Sequence, residues 1–266
     1  MTDMIETRLW FLLAVLWTAG GAAAHADPCV LQSPAHRVTV LELYTSEGCS
    51  SCPPADRWLS SLPQRGIGPD RAILLAFHVD YWNRLGWQDR FSQARFSERQ
   101  QAVAARNGSR LVYTPQLILD GRSLRGGDLP EDLGERLHAI NANHAAATIR
   151  AGIARQPSGI LLTVDAEVLA RSAHPNADVW LAAFENGLSS EVARGENAGS
   201  LLHHDFVVRV LLGPFPIGTD GRGRVHQEIA TAPQWNEKST GLAIFVQDRN
   251  SGEVLQAAGM LPVCYP

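Results

Sequence analysis

The sequence predicts an α/β domain followed by an all-β, sandwich-like domain, and three observations support this prediction. Residues 37–144 alternate short apolar runs with helical patterns, which is typical of α/β domains. The rest of the chain consists of short apolar runs separated by Gly, Pro, Asn and Asp, with little helical periodicity. The last two runs enclose Asn-Ser-Gly at 250–252, a hairpin signal. We therefore expect domains over residues 27–145 and 146–266.

Each expected element follows from its own pattern. The helix over 96–108 has Ser97 as a candidate cap and Gly108 as a stop, and the strand over 111–121 meets Pro115. The remaining elements of the first domain are strands at 38–44 and 72–79 and helices at 53–62 and 128–143. The second domain has expected strands at 159–168, 177–185, 204–212 and 224–232 and a hairpin at 241–260.

The first 26 residues have the features of a signal peptide. An apolar run from Leu9 to Trp17 follows Arg8, and Ala24 and Ala26 place small residues at the cleavage site. An N-terminal membrane anchor is the alternative, although the run is short for a span. We expect a periplasmic or secreted protein without stable membrane insertion after cleavage. The mild formal charge of −4 has no basic stripe that would indicate nucleic acid.

Four cysteines follow the predicted cleavage site: Cys29, Cys49, Cys52 and Cys264. In an oxidising compartment an even number of cysteines usually forms disulfides, and four cysteines allow three pairings. The simplest pairing joins Cys49 to Cys52 and Cys29 to Cys264. The second bond would be structural, because it would tie the two ends of the mature chain together.

The sequence Cys-Ser-Ser-Cys at 49–52 follows a strand and opens a helix. This spacing places both sulfurs on one face of the first helical turn, within reach of a disulfide. We expect unpaired backbone N–H groups to stabilise a Cys49 thiolate as the nucleophile. Cys52 would be the more buried, resolving thiol. A static disulfide is one alternative; a zinc site is another, but it lacks a second Cys or His pair, so we predict no metal.

Four stretches carry a family resemblance: ELYTSEGCSSCPPAD, FHVDYWNRLGWQDRFS, YTPQLILDG and GENAGSLLHHDFVVR. They resemble a family of exported bacterial proteins known as domain of unknown function 1223, over about residues 37 to 262. The resemblance implies an α/β thioredoxin-like domain, here followed by an all-β sandwich-like domain, and an envelope location. It supplies no assigned reaction, but the wider thioredoxin superfamily implies thiol–disulfide exchange at Cys49 and Cys52.

The resemblance also suggests further site residues. Pro115 falls where that fold places a cis-proline facing the disulfide, so the backbone of Thr114 would pair with an extended substrate segment. An ordinary trans proline is the alternative. Glu42 lies in an apolar strand, where a buried carboxylate could accept the proton of Cys52. Alternatively, Glu42 faces solvent or pairs with an arginine.

Aromatic and polar residues after the second strand complete the candidate site. We expect His78 and Trp82 to line a substrate groove beside the cysteines, together with Asp80 and Tyr81. The alternative is that His78 is a core residue. A polar group in the second half is interpreted as turn and interdomain contacts; it comprises Glu196, Asn197, His203, His204 and Arg209.

The sequence thus predicts an exported thiol–disulfide oxidoreductase that acts on protein or peptide thiols. It needs no organic cofactor, but an unknown redox partner must reset the couple. One rival is Cu(I) binding by Cys49, Cys52 and His78, since soft thiolates favour that ion. The other is a non-catalytic binding module with an inert disulfide. The enzymatic hypothesis requires that neither sulfur be shut off from both solvent and any groove, and that Cys49 not be bonded to a terminal cysteine.

Overall fold

The computed structural model of the chain describes residues 29–124 and 129–264. The predicted signal peptide over residues 1–26 lies outside the described residues. Within the described ranges, no helix is long and apolar enough to cross a membrane.

The first half of the chain contains strands and helices close to the expected positions. The helix expected to be capped by Ser97 begins earlier, at Ala94. Ser97 is not its cap, because its hydroxyl donates to the Asp80 carboxylate at 2.5 Å. The elements are β1 (Cys29–Gln32), β2 (Thr39–Thr45), α1 (Pro53–Ser61), β3 (Ala72–His78), α2 (Ala94–Arg106), β4 (Gln116–Leu119), β5 (Arg122–Ser123) and α3 (Leu133–Asn141).

The second half consists of strands in the described residues. The expected hairpin near the C-terminus is present, and Gly252 adopts a positive φ of 78° in its turn. The strands are β6 (Ala147–Gln156), β7 (Gly159–Val168), β8 (Ala177–Glu185), β9 (Leu188–Glu191), β10 (Leu201–His204), β11 (Val207–Pro216), β12 (Arg222–Ala230), β13 (Thr240–Asp248) and β14 (Val254–Met260).

One eight-stranded sheet combines strands from both halves, in the order β14-β13-β8-β11-β3-β2-β4-β5. Strands β2 and β3 are parallel, with Thr45 beside His78. Strand β11 then joins β3, also in parallel, where Val207 lies beside Ala76. Every residue of β2 and β3 is buried, as expected for central strands that are covered on both faces.

The predicted fold class, an α/β thioredoxin-like domain followed by an all-β sandwich-like domain, is therefore wrong. The described residues are mostly β-sheet, with fourteen strands and three α-helices. The strands of the first half do not form a separate sheet, because β11 extends them into β8, β13 and β14. Local patterns predicted most strands, but they do not say which distant strand supplies the hydrogen-bond partner. The predicted boundary between the two domains, at residues 145 and 146, stays a prediction.

A second sheet, in the order β1-β6-β7-β12, covers part of the large one. Alternate residues of β6 are buried, and they form one apolar cluster with residues of β8 and β13. The neighbouring residues of β8, Ala182 and Phe184, belong instead to the cluster that contains residues of helices α1, α2 and α3. The large sheet thus has helices on one side of its second-half strands and the smaller sheet on the other.

Candidate functional site

The Cys49–Cys52 disulfide lies in the turn that connects β2 to α1. The two Cα atoms are 5.4 Å apart. The Cys52 N–H donates to the Cys49 carbonyl at 3.2 Å, and Cys52 is the N-cap of α1. Pro53 and Pro54 occupy the first two helical positions, where a missing N–H leaves no helical bond unmade. The local sequence therefore produces the expected strand–turn–helix arrangement around the pair.

Both cysteines are fully buried, which differs from the expectation that Cys49 is the more accessible. Cys49 and Cys52 each have an exposed fraction of 0%. The serines between them, Ser50 and Ser51, are exposed. In this conformation neither sulfur is open to solvent, so exchange with a substrate would require the cover over the pair to move.

The expected N–H groups at the start of α1 are not free to stabilise a thiolate. Pro53 and Pro54 have no N–H, and the N–H groups of Ala55 and Asp56 both donate to the Cys52 carbonyl. The donors closest to Cys49 in the chain are instead in the Ser50–Ser51 turn. The Ser51 hydroxyl oxygen lies 3.4 Å from the Cys49 sulfur.

The turn between β9 and β10 covers the disulfide loop. Glu196 accepts hydrogen bonds from the Ser50 N–H at 2.9 Å and from the Ser50 hydroxyl at 2.7 Å. The Asn197 side-chain amide donates to the carbonyl oxygens of Glu47 and Cys49, at 2.8 and 3.0 Å. Glu196 and Asn197 are therefore contacts between a turn of the second half and the first half, as the sequence interpretation expected, but their position on the cysteine loop was not predicted. The available signal was a pair of polar residues between two glycines, Gly195 and Gly199.

Three of the predicted substrate-binding residues lie together beside the disulfide loop. The Thr114–Pro115 peptide bond is cis, as expected. The indole N–H of Trp82 donates to the Thr114 hydroxyl at 2.8 Å. A Cβ added to Gly48 would lie only 3.3 Å from the Trp82 Cβ, so Trp82 also packs against the cysteine turn through its Cβ and backbone. Trp82, Thr114 and Pro115 are partly exposed, which leaves them available to a substrate.

Glu42 forms an ion pair, which was the alternative to a proton-accepting role. Its exposed fraction is 1%, and its carboxylate accepts two hydrogen bonds from Arg99, both at 2.8 Å. The Tyr44 hydroxyl donates to the same carboxylate at 2.7 Å. Both oxygens of the Glu42 carboxylate are thus already hydrogen-bonded to Arg99 and Tyr44. The expected role of Glu42 in accepting the Cys52 proton is therefore corrected to a structural one.

His78 does not line a groove. It is fully buried, its Nδ1 lies 2.6 Å from Asp89 Oδ2, and its ring contacts Phe91 and His204 edge-on. The Asp89 carboxylate also accepts the Glu47 N–H at 2.9 Å. His78 is thus a core histidine behind the cysteine loop, which corrects its expected position in the substrate site.

Five buried titratable side chains form a cluster behind the disulfide, which we term the acid–base cluster. Its members are Glu47, Asp56, His78, Asp89 and His204. His204 lies between two of the acids, with Nε2 3.5 Å from Glu47 Oε1 and Nδ1 3.8 Å from Asp56 Oδ2. The indole of Trp87 donates to Glu47 Oε2 at 2.7 Å. Sequence reasoning missed Glu47, Asp56 and Asp89, because only folding brings them together with the two histidines.

The cluster raises the pKa values of Asp56 and His78 and lowers those of Glu47 and Asp89. Burial raises the pKa of the Asp56 carboxyl, and the charges of His204 and His78 only partly offset this effect. Burial by itself lowers the pKa of His78, but the charge and hydrogen bond of Asp89 raise it above its ordinary value. Separated pKa values in one buried cluster are a feature of functional sites.

Several cluster atoms have no hydrogen-bond partner among the described residues. They are one Glu47 carboxylate oxygen, His78 Nε2 and both ring nitrogens of His204. Buried polar groups in folded proteins are nearly always hydrogen-bonded, so unpaired groups at one place indicate a site that is not arranged for stability alone. No three His, Cys, Asp or Glu side chains of residues 29–124 and 129–264 are positioned to hold a metal ion. Cys49, Cys52 and His78 are thus not brought together as a Cu(I) site.

The second disulfide joins Cys29 to Cys264, as the simplest pairing predicts. The two residues are 235 positions apart, and their Cα atoms are 5.9 Å apart. Both cysteines pack against the apolar cluster between the two sheets. This bond closes nearly the whole described chain into a loop.

The comparisons with known proteins confirm the family that the sequence resembles. A family model described as a protein of unknown function (DUF1223) matches residues 40–247. The chain belongs to this family. No curated protein is similar enough to count as a relative.

Two solved structures are similar to this DUF1223 chain. A protein of Agrobacterium tumefaciens has 26% sequence identity and a TM-score of 0.61, with 86% of this chain and 96% of that one covered. HBP35 of Porphyromonas gingivalis has 14% identity and a TM-score of 0.65, with 88% and 79% covered. At 14% identity the second likeness shows the fold alone.

Proposed function

We propose that this protein is an exported thiol–disulfide oxidoreductase that acts on protein or peptide thiols through Cys49 and Cys52. The observation that carries the proposal is the position of the pair. It lies at a strand–helix turn that also carries the buried Glu47 and Asp56 of the acid–base cluster, and the partly exposed Trp82 packs against Gly48 of the same turn. A purely structural disulfide does not require a buried acid–base cluster or a partly exposed tryptophan beside it.

The reaction requires two displacements at sulfur. The Cys49 thiolate attacks one sulfur of a substrate disulfide, which releases the first substrate thiolate and forms a mixed disulfide. Cys52 then loses its proton and attacks the Cys49 sulfur, which releases the second substrate thiolate and forms the Cys49–Cys52 bond. Two electrons pass from the couple to the substrate. The same steps in reverse oxidise a substrate dithiol, and a dithiol or disulfide partner resets the couple.

Asp56 is the group best placed to exchange the proton of Cys52. It follows Cys52 by four residues, so the two side chains lie on the same face of α1, and helical side chains lean towards the N-terminus. The Asp56 N–H donates to the Cys52 carbonyl at 3.1 Å, which fixes this turn. Burial raises the pKa of Asp56, which makes it a stronger base than an ordinary carboxylate once it is ionised.

Substrate access depends on the turn between β9 and β10, because both cysteines are buried beneath it. Four hydrogen bonds hold that turn on the cysteine loop: Glu196 accepts two of them and the Asn197 amide donates the other two. An extended substrate segment that pairs with the backbone of Thr114 would have to displace them. The proposal therefore includes an opening step before exchange.

The exported location is supported by the two disulfides. Cys29 and Cys264 are partly exposed, so cellular reductants could reach their bond in the cytosol. The bond would persist in an oxidising compartment. This observation favours the periplasm or the exterior of the cell.

The decisive experiment is a Cys52→Ala trap expressed in the native host. If the proposal is correct, Cys49 accumulates mixed disulfides with protein or peptide thiols, which mass spectrometry identifies. The matched control is Cys49→Ala with Cys52 intact, which should trap far less, since Cys52 is the resolving thiol. Equal trapping by both variants, or none by either, would contradict the proposal.

A binding protein with a static disulfide is the second candidate, and the complete burial of both sulfurs favours it. Titration of the couple against a glutathione series separates the two functions. A couple that stays oxidised down to below about −300 mV behaves as a structural disulfide. A less negative potential supports exchange.

A further inference from the structure

The carboxylate of Glu196 occupies the turn between the two cysteines. It comes from the β9–β10 turn, 146 residues away in sequence, and contacts both the backbone N–H and the hydroxyl of Ser50. Asn197 anchors the same turn through the Cys49 carbonyl. The position of Glu196 is therefore set by two contacts of its own and by two of its neighbour.

Glu196 carries its negative charge at neutral pH. The hydrogen bonds from the Ser50 side chain and backbone lower the pKa of its carboxyl below the ordinary value. The chain thus places a fixed anion one residue from the proposed nucleophile.

This anion lies beside the residue that follows Cys49, whereas the group nearest the Cys49 sulfur is the neutral Ser51 hydroxyl at 3.4 Å. A thiolate at the start of a helix normally relies on nearby N–H donors. Here Pro53 and Pro54 have none, and the next two N–H groups donate to the Cys52 carbonyl. The Ser50 N–H is an adjacent donor, and Glu196 already holds it.

We propose that Glu196 is a positioning residue that destabilises the Cys49 thiolate and so makes the Cys49–Cys52 couple more reducing. The inference rests on the proposed exchange function. The charge acts on the reduced protein alone, because the disulfide has no thiolate to repel. Destabilising the reduced form favours the disulfide, which corresponds to a lower reduction potential.

The test is Glu196→Gln, which removes the charge but keeps an oxygen that accepts both Ser50 hydrogen bonds. The matched control is Glu191→Gln, which removes an exposed charge from β9, in the same hairpin. The disulfide–dithiol equilibrium is measured in glutathione and in dithiothreitol buffers. The pH at which Cys49 ionises is followed by thiolate absorbance.

We expect Glu196→Gln to shift the equilibrium towards the dithiol about tenfold, which is about 30 mV for a two-electron couple. Ionisation of Cys49 should move to lower pH, and Glu191→Gln should change neither quantity. An unchanged equilibrium in Glu196→Gln, or an equal shift in Glu191→Gln, would overturn the inference. If dithiothreitol reduces the Cys49–Cys52 disulfide but glutathione does not, the result counts against the exchange function. The effect of Glu196→Gln on the disulfide–dithiol equilibrium can then still be measured in the dithiothreitol buffers.

Discussion

The two disulfides of this chain share one bond type but have different surroundings. Cys29–Cys264 links residues 235 positions apart and packs against an apolar cluster. Cys49–Cys52 links residues three positions apart and lies among buried acids and histidines, beneath an anion from a distant turn. The first bond can restrict the unfolded chain strongly, whereas the second closes too short a loop to do so.

This comparison shows that the two disulfides differ chiefly in the charged groups around them, and the proposed exchange function depends on that difference. The couple at 49–52 has Asp56 on its helix and Glu196 on its turn. No carboxylate among the described residues hydrogen-bonds to the Cys29–Cys264 region in the same way; Cys264 instead approaches the Met260 sulfur at 3.8 Å. Variants that separate stability from exchange can test this difference.

The largest expected effect on stability comes from Glu42→Gln. It leaves the buried Arg99 guanidinium without its counter-ion, and breaking a buried ion pair from one side costs about 3–5 kcal/mol. Urea unfolding measures the loss. Resolution of the mixed disulfide by Cys52 should be unchanged, because Glu42 is held by Arg99.

The matched control for Glu42→Gln is Glu253→Gln, which breaks the more exposed ion pair with Arg37. We expect about 0–1 kcal/mol from that change. If Glu42→Gln is folded but slows resolution, Glu42 belongs to the reactive couple after all. A double Glu42→Leu, Arg99→Met variant should recover stability, since apolar replacement of a buried pair is often neutral.

Removal of the terminal disulfide should also affect stability alone. The Cys29→Ser, Cys264→Ser double variant is expected to lose about 2–5 kcal/mol of unfolding free energy, because the unfolded chain regains its freedom. Denaturant unfolding under oxidising conditions measures this loss. Trapping of substrates by Cys49 should stay at the level of the parent Cys52→Ala protein; a parallel loss of trapping would break the comparison.

After Glu42→Gln and the removal of the terminal disulfide, the smallest of the three free-energy changes is expected for Asp56→Asn. Loss of a positioned proton acceptor should slow resolution of the mixed disulfide about a hundredfold. Stopped-flow kinetics with a model peptide disulfide measures the rate. Asp70→Asn removes an exposed acid as a control and should leave the rate unchanged.

Asp56→Asn should also change the pH dependence of stability. The pKa of Asp56 is raised in the folded protein, so the folded state binds this proton more tightly than the unfolded chain does. Its contribution to stability is therefore present at acidic pH and is lost as pH rises from the unfolded pKa through the raised folded pKa. The Asp56→Asn variant should lose less unfolding free energy than wild type between acidic and neutral pH. Equal slopes of unfolding free energy against pH in the two proteins would contradict a raised pKa at Asp56.

Local sequence was sufficient for the elements around the couple. The apolar run of β2, the cysteine spacing and the prolines at the start of α1 predict a strand–turn–helix, and it is present. The hairpin of β13 and β14 follows from its Asn-Ser-Gly turn. Strand β6 was missed, although its alternate residues are buried, as period-two patterning would indicate.

The rest of the site depends on contacts between distant segments. Asn197 and His204 reach the cysteine loop because β9 and β10 pair with each other and hold the connecting turn over it. Nothing in the pattern of Glu42 distinguishes a free acid from one paired with Arg99, 57 residues away. Charge pairing of this kind is set by packing and leaves no periodic signal.

By itself, the sequence determined the family and the turn that carries Cys49 and Cys52, and the simplest of its three possible cysteine pairings is the one in the structure. These features are local or chemical, since spacing along the chain dictates what two cysteines at i and i+3 can do. Only the tertiary structure decided that β11 merges both halves into one sheet and that the couple is buried. It also decided which acids lie around the cysteine loop, because hydrogen bonding between strands and burial bring together residues that the sequence keeps far apart.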